Sequence, residues 1–133
     1  MSPIVLPVTL CAAAAAAIVN LWLATRIGRL RLSGKVLHGD DGGGPLTRRM
    51  RAQLNFVENT PFVLVLIAGI ELSGRGGTWL AAVSALYILS RVAHGIGMDA
   101  DHPHKARQIG VIVTMLTLLG LAVAAVLIAA RVI

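Results

Sequence analysis

Acidic residues, aromatic residues and cysteine are all scarce in this chain. Its 133 residues hold six Asp and Glu against twelve Lys and Arg, only 4% are aromatic, and one is a cysteine. The single Cys11 excludes an intrachain disulfide, and its place in an apolar run predicts a small buried hydrophobe. Paired carboxylates, a Ser-His-Asp order and a cysteine nucleophile beside a base are missing too, which leaves hydrolytic and covalent chemistry without a centre. Residues 39–44 are rich in glycine, but no Lys-Ser/Thr follows them, so they do not form a phosphate loop. Asp99, Asp101, His102 and His104 crowd a short solvated stretch; their spacing is too weak a pattern to assign a metal. No basic residue precedes the first apolar run, so that run is expected to be a retained helix and not a cleaved leader.

What is abundant is apolar sequence. Hydrophobic residues make up 56% of the chain, and the mean hydropathy is +0.80. A soluble domain of this length has no use for so many long apolar stretches, so the chain reads as an integral membrane protein. Four helices are expected, over about residues 3–31, 46–72, 78–98 and 103–131. At about 1.5 Å per residue, each can cross a hydrocarbon core of roughly 30 Å. Only the connection around residues 34–45 is long, which predicts an all-α protein: one antiparallel four-helix transmembrane bundle, a single domain over residues 1–133.

Charge orients that bundle. Arg26, Arg29, Arg31, Lys35, Arg48, Arg49, Arg51, Arg91, Lys105 and Arg107, ten of the twelve cations, belong to the side that receives the first and third loops. By the positive-inside rule that side is cytoplasmic and both termini face outward. Topology and anionic lipid headgroups then account for the sequence pI of 11.1, without a nucleic-acid partner.

The informative residues are polar ones inside the apolar helices. Arg51, Asn55 and Glu58 fall within roughly 60° of one another on a helix surface. Polar groups so placed in a membrane helix mark an internal site or a pathway. Pro61 follows and should free the Val57 carbonyl and kink the second helix. Tyr87, Arg91, His94 and Met98 share one face of the third helix, either as an interfacial anchor or as an internal set. In the second case Glu58 is the expected partner of Arg91, since pairing neutralises two charges that are costly to bury. Asn20 is expected to bond a neighbouring helix, Arg26 to Arg31 to snorkel towards headgroups, and Glu71 to be solvated at the outer end. Arg107 enters the fourth helix four residues after Pro103. Several arginines together bind an anion, and they can hold a bound thiol as its thiolate.

The stretch Arg51-Ala-Gln-Leu-Asn55-Phe-Val-Glu58-Asn-Thr-Pro61, followed by Arg91-Val-Ala-His94 and then Arg107, resembles the helix signatures of the MAPEG family. These are membrane-associated proteins in eicosanoid and glutathione metabolism, and the resemblance runs over roughly residues 26–130. It implies a homotrimer in which glutathione binds between helices of adjacent subunits near the cytoplasmic side. Arg51, Asn55, Glu58, Arg91 and His94 would shape that glutathione site, and Arg107 would stabilise the thiolate as the catalytic residue. The activity implied is a glutathione-dependent transferase or peroxidase acting on lipophilic electrophiles. One branch of the family binds lipid without catalysis, so a non-catalytic lipid- or amphiphile-binding protein is the alternative. A small multidrug exporter is of similar length but relies on a first-helix carboxylate that this chain does not have. Leu54, Met98 and Val111 replace polar or ring side chains found in enzymatic members. Short loops and the absence of targeting motifs suit a bacterial inner-membrane member with periplasmic termini.

Overall fold

The computed structural model describes residues 2–133, and these form four helices: α1 (Pro7–Gly34), α2 (Pro45–Leu72), α3 (Thr78–Gly97) and α4 (Lys105–Ala129). All four are long and apolar enough to cross a membrane, as expected of an integral membrane protein. The first helix starts four residues later than expected, because Pro7 occupies its first turn. A proline there loses nothing, whereas Leu6, the residue before it, is pushed out of the helical region. The same helix runs three residues further than expected, to Gly34, where Lys35 closes it at φ 53 by donating its N–H to carbonyls of the last turn. Pro61 does not divide α2, which continues unbroken through it.

Contacts at two ends tie these helices together. At one end the Glu71 carboxylate, closing α2, accepts the backbone N–H groups of Val8 at 2.9 Å and Thr9 at 2.7 Å, and the Thr9 hydroxyl at 2.7 Å. The first N–H groups of a helix have no partner within it and carry the positive end of its dipole. Glu71 therefore caps α1 across space and is not merely solvated. At the other end the α1–α2 and α3–α4 connections meet. Asp99, just after α3, pairs with Arg26 of α1 and Arg49 of α2, and its carbonyl accepts Arg48 Nε at 3.1 Å.

Between the ends lie two apolar cores. Val63, Ile67, Ile70, Leu80 and Leu121 pack near the Glu71 end, and Val19, Leu23, Ala52 and Phe56 nearer the basic end. Asn20 and Gln53 join α1 to α2 beside the second core at 3.3 Å, the interhelical bond expected of Asn20. The outer faces are apolar: Ile18, Phe62, Val65, Leu89 and Leu116 are all exposed, a surface suited to lipid. Cys11 lies on such a face and is exposed, not buried as expected, because its neighbour Ala12 takes the inward position.

Glycine sets how closely α3 approaches α4. A Cβ on Gly110 would come within 2.4 Å of His94 Cβ, and one on Gly97 within 2.3 Å of the Arg107 backbone nitrogen. Tight contact of this kind drives helix association where lipid removes the hydrophobic incentive. It also seats Arg107 beside the end of α3.

Candidate binding site at the basic end

A cavity of about 360 Å³ opens where the start of α2, the α3–α4 connection and the start of α4 meet. This lies within the roughly 300–1,000 Å³ of small-molecule sites. Arg48 and Arg51 line it from α2, Met98 and Asp101 from the connection, and Arg107 from α4. Each guanidinium is placed by identifiable local structure. The Asp41 carboxylate accepts the N–H groups of Leu46 at 2.8 Å and Thr47 at 2.9 Å, and the Thr47 hydroxyl at 2.7 Å. Slight desolvation opposes ionisation there, but these bonds outweigh it and hold the Asp41 pKa at about 2. The first turn of α2, which carries Arg48 and Arg51, is thereby anchored. His104 Nδ1 accepts the Ala106 N–H at 3.1 Å and begins α4 three residues before Arg107.

Arg26 departs from expectation. Instead of snorkelling outward it is buried, lies over the Trp22 ring at 4.7 Å and donates to the Gly95 carbonyl at 3.2 Å as well as to Asp99. Asp99 offers an inward counter-charge that outcompetes the headgroup region. The same pairing withdraws Asp99 from the Asp/His cluster, where Asp101 bonds His102 at 3.1 Å. That bond, first among the causes, lowers the Asp101 pKa from its ordinary value. Among the described residues no His, Cys, Asp or Glu side chains converge in threes as metal ligands would.

Deeper in the bundle lies a second set of polar groups. Arg91 is 1% exposed, so this residue is an interior group and not an interfacial anchor. Its Nη1 donates to Thr114 Oγ1 at 2.9 Å, its Nη2 to Asn55 Oδ1, and His94 Nδ1 stands 3.4 Å from Nη2. The Thr114 hydroxyl donates in turn to the Gly110 carbonyl at 2.8 Å, and Tyr87 shares a 2.8 Å bond with Thr60. Among the described residues Arg91 Nε has no partner.

The expected Glu58–Arg91 ion pair does not form; Glu58 is exposed on α2 and Arg91 relies on neutral acceptors. The physical reason is angular. Asn55 and Glu58 stand about 60° apart around the helix, and the edge of the buried face passes between them.

The expected residues thus sort into three places. Arg51 and Arg107 meet at the cavity, half-buried Asn55 joins the buried Arg91 and His94 beneath it, and Glu58 faces outward. Two contributors escaped the sequence reading. Arg48 stands three residues before Arg51, a spacing that already put it on the same face. Thr114 gave no comparable signal, being one hydroxyl in an apolar helix. Among the described residues no carboxylate lies within ion-pair distance of Arg51, Arg107 or Arg91. A buried uncompensated cation below and free guanidinium groups above make the cavity attractive to an anion.

No curated protein matches the chain significantly. The MAPEG family model, however, matches residues 9–127, which reaches into all four helices and takes in every residue of the site, and the chain belongs to the MAPEG family.

Proposed function

We propose that the protein is a glutathione-dependent transferase or peroxidase acting on lipophilic electrophiles, working as an antiparallel-helix, single-domain homotrimer in a bacterial inner membrane. One observation carries this reading: Arg107, at the start of α4, lines two adjoining cavities of different character. On one flank lies the basic cavity; on the other lies a cavity of about 380 Å³ lined also by Gln108, Val111 and Ile112, on the apolar outer face of α4. A group between a polar anion site and a lipid-side pocket stands where a water-soluble thiol and a membrane-dissolved electrophile would meet.

The donor set suits glutathione, which has two carboxylates and a thiol. Arg48 and Arg51 would hold carboxylates, since guanidinium forks match them bidentately. Glutathione would supply the nucleophilic sulfur. Arg107, free of any protein carboxylate, would stabilise negative charge on it. Asn55, Arg91 and His94 would support the site from below by fixing α2 and α3 and by their uncompensated charge. Glu58 would help shape the glutathione site from the face that a second copy covers: a carboxylate exposed beside Leu54, Val57 and Phe62 on a membrane helix is costly against lipid until an adjacent subunit or ligand meets it. The charge bias supports an orientation with the basic end in the cytoplasm and both termini outside.

Ultraviolet absorbance of the thiolate on adding glutathione to the purified oligomer tests the proposal. An absorbance that saturates with glutathione is expected. No absorbance, with lipid copurifying, would favour the non-catalytic lipid-binding alternative.

A further inference from the structure

We propose that a cavity at the Glu71 end of the bundle binds one acyl chain of a bilayer phospholipid, with the Ser84 hydroxyl donating to its ester carbonyl. The cavity measures about 550 Å³ and lies between α1 and α3. Cys11, Ala12 and Ala15 line it from α1, and Ser84, Ala85 and Ile88 from α3. Small side chains on both helices leave the space. Val8, whose N–H the Glu71 carboxylate accepts, also lines it and fixes it at the end opposite Arg107.

Ser84 carries the inference. Serines elsewhere in these helices satisfy themselves: Ser33, Ser73 and Ser90 donate to the carbonyl three residues back at 3.2, 2.6 and 2.6 Å. Ser84 is 6% exposed, and among the described residues its Oγ has no hydrogen-bond partner. A buried hydroxyl without a partner costs free energy, most of all where no bulk water can reach it. A trapped water does not solve this, because it needs roughly two to four polar partners. Besides Ser84 the side chains of the wall offer only the weak thiol of Cys11. The missing acceptor must therefore arrive on an apolar body. No charged side chain lines the cavity, so a headgroup or a fatty-acid carboxylate has nothing to hold it there. Cys11 lies four residues into α1 and Ser84 six into α3. That is roughly 6–9 Å from the helix starts, the depth at which headgroups give way to chains and ester carbonyls sit. A helix of a second copy, about 10–12 Å across, would cover this cavity rather than enter it.

Native mass spectrometry of the detergent-solubilised oligomer tests this, with equal amounts of an ester-linked and an ether-linked phosphatidylcholine of one chain length. The ether lipid keeps headgroup and chains but lacks the carbonyl. The wild type should retain the ester lipid roughly two- to tenfold over the ether lipid, the range for one neutral hydrogen bond. Ser84→Ala should remove that preference. Equal retention in the wild type, or a preference that survives Ser84→Ala, would overturn the proposal. Without added lipid, Ser84→Ala should melt no lower than the wild type, since it deletes an unsatisfied group; a lower melting temperature would show that the hydroxyl has an internal partner, and the proposal falls. Cys11 is exposed and is the one cysteine of the chain, so N-ethylmaleimide locates the lipid. Added ester lipid should slow its modification severalfold. The control is Leu10→Cys in a Cys11→Ala background, at an exposed position that does not line the cavity, and its rate should not change. Equal slowing at both positions would mean a nonspecific lipid annulus, and a Cys11 unreactive before lipid is added would mean that a second copy covers the cavity; either sinks the proposal. None of these readings depends on glutathione.

Discussion

The two ends of this bundle treat charge in opposite ways. At the far end Glu71 takes three donors from the start of α1. At the basic end Arg26 and Arg49 share Asp99, but among the described residues Arg51 and Arg107 line a cavity and pair with no carboxylate, and Arg91 beneath them has only neutral acceptors. A satisfied charge contributes stability; a charge left free in a cavity is available to a ligand, at some cost to the fold. Removing charge at the far end should therefore disturb folding alone, and at the cavity binding and chemistry alone.

Arg107→Ala breaks the comparison most severely. It should remove the thiolate absorbance and lower conjugation on the order of 10²–10³-fold, the scale of losing one preorganised oxyanion donor. Circular dichroism should show retained helix content. Arg107→Lys should restore only part of the activity, because a compact ammonium does not reproduce the planar fork. Equal activity in the Lys variant and the wild type would make Arg107 a headgroup anchor.

Gly110→Ala should affect both fold and chemistry. The added methyl meets His94 Cβ and the Ser90 carbonyl at 2.4 and 2.8 Å, so α4 must shift away from α3. Overpacking of this kind costs about 1–3 kcal/mol. Arg107 moves with the helix, so activity should fall together with the melting temperature. A variant as stable and as active as the wild type would show that the close helix contact does not position Arg107.

Glu71→Gln sharpens the contrast from the far end. The neutral amide keeps the shape but loses the charge that faces the α1 dipole. The melting temperature should drop by a few degrees, and glutathione binding should not change. Altered binding would mean that the two ends are coupled.

The smallest expected effect concerns pH. The Asp41 carboxyl is held at about 2 against an ordinary 3.8. A depressed folded-state pKa contributes stability that is fully present above the ordinary value and is lost as pH falls through the folded one. Wild-type stability should thus decline between about pH 4 and pH 2, and Asp41→Asn should show a shallower decline there. Identical acid profiles would show that the α2 cap is not carried by that carboxylate.

Much of this was legible in the residues. Hydropathy and charge distribution located four spans and the polarity of the ends, because length, apolar content and loop charge are local properties. The residues also singled out Arg51 and Arg107, which the fold brings to one cavity. Which side of a mixed stripe turns inward is another matter. Arg51, Asn55 and Glu58 lie in one narrow arc, yet Asn55 enters the interior and Glu58 does not. The boundary is drawn by where α3 and α4 cross α2, and no local window contains that information. Arg26 reaching inward to Asp99, Glu71 capping α1 from 62 residues away, and Arg91 resting on Asn55 and Thr114 were likewise decided by tertiary structure. The sequence alone determined which charged groups the membrane would make expensive. Only the packed bundle decided which would find partners, because a partner is chosen by distance in space and not by spacing along the chain.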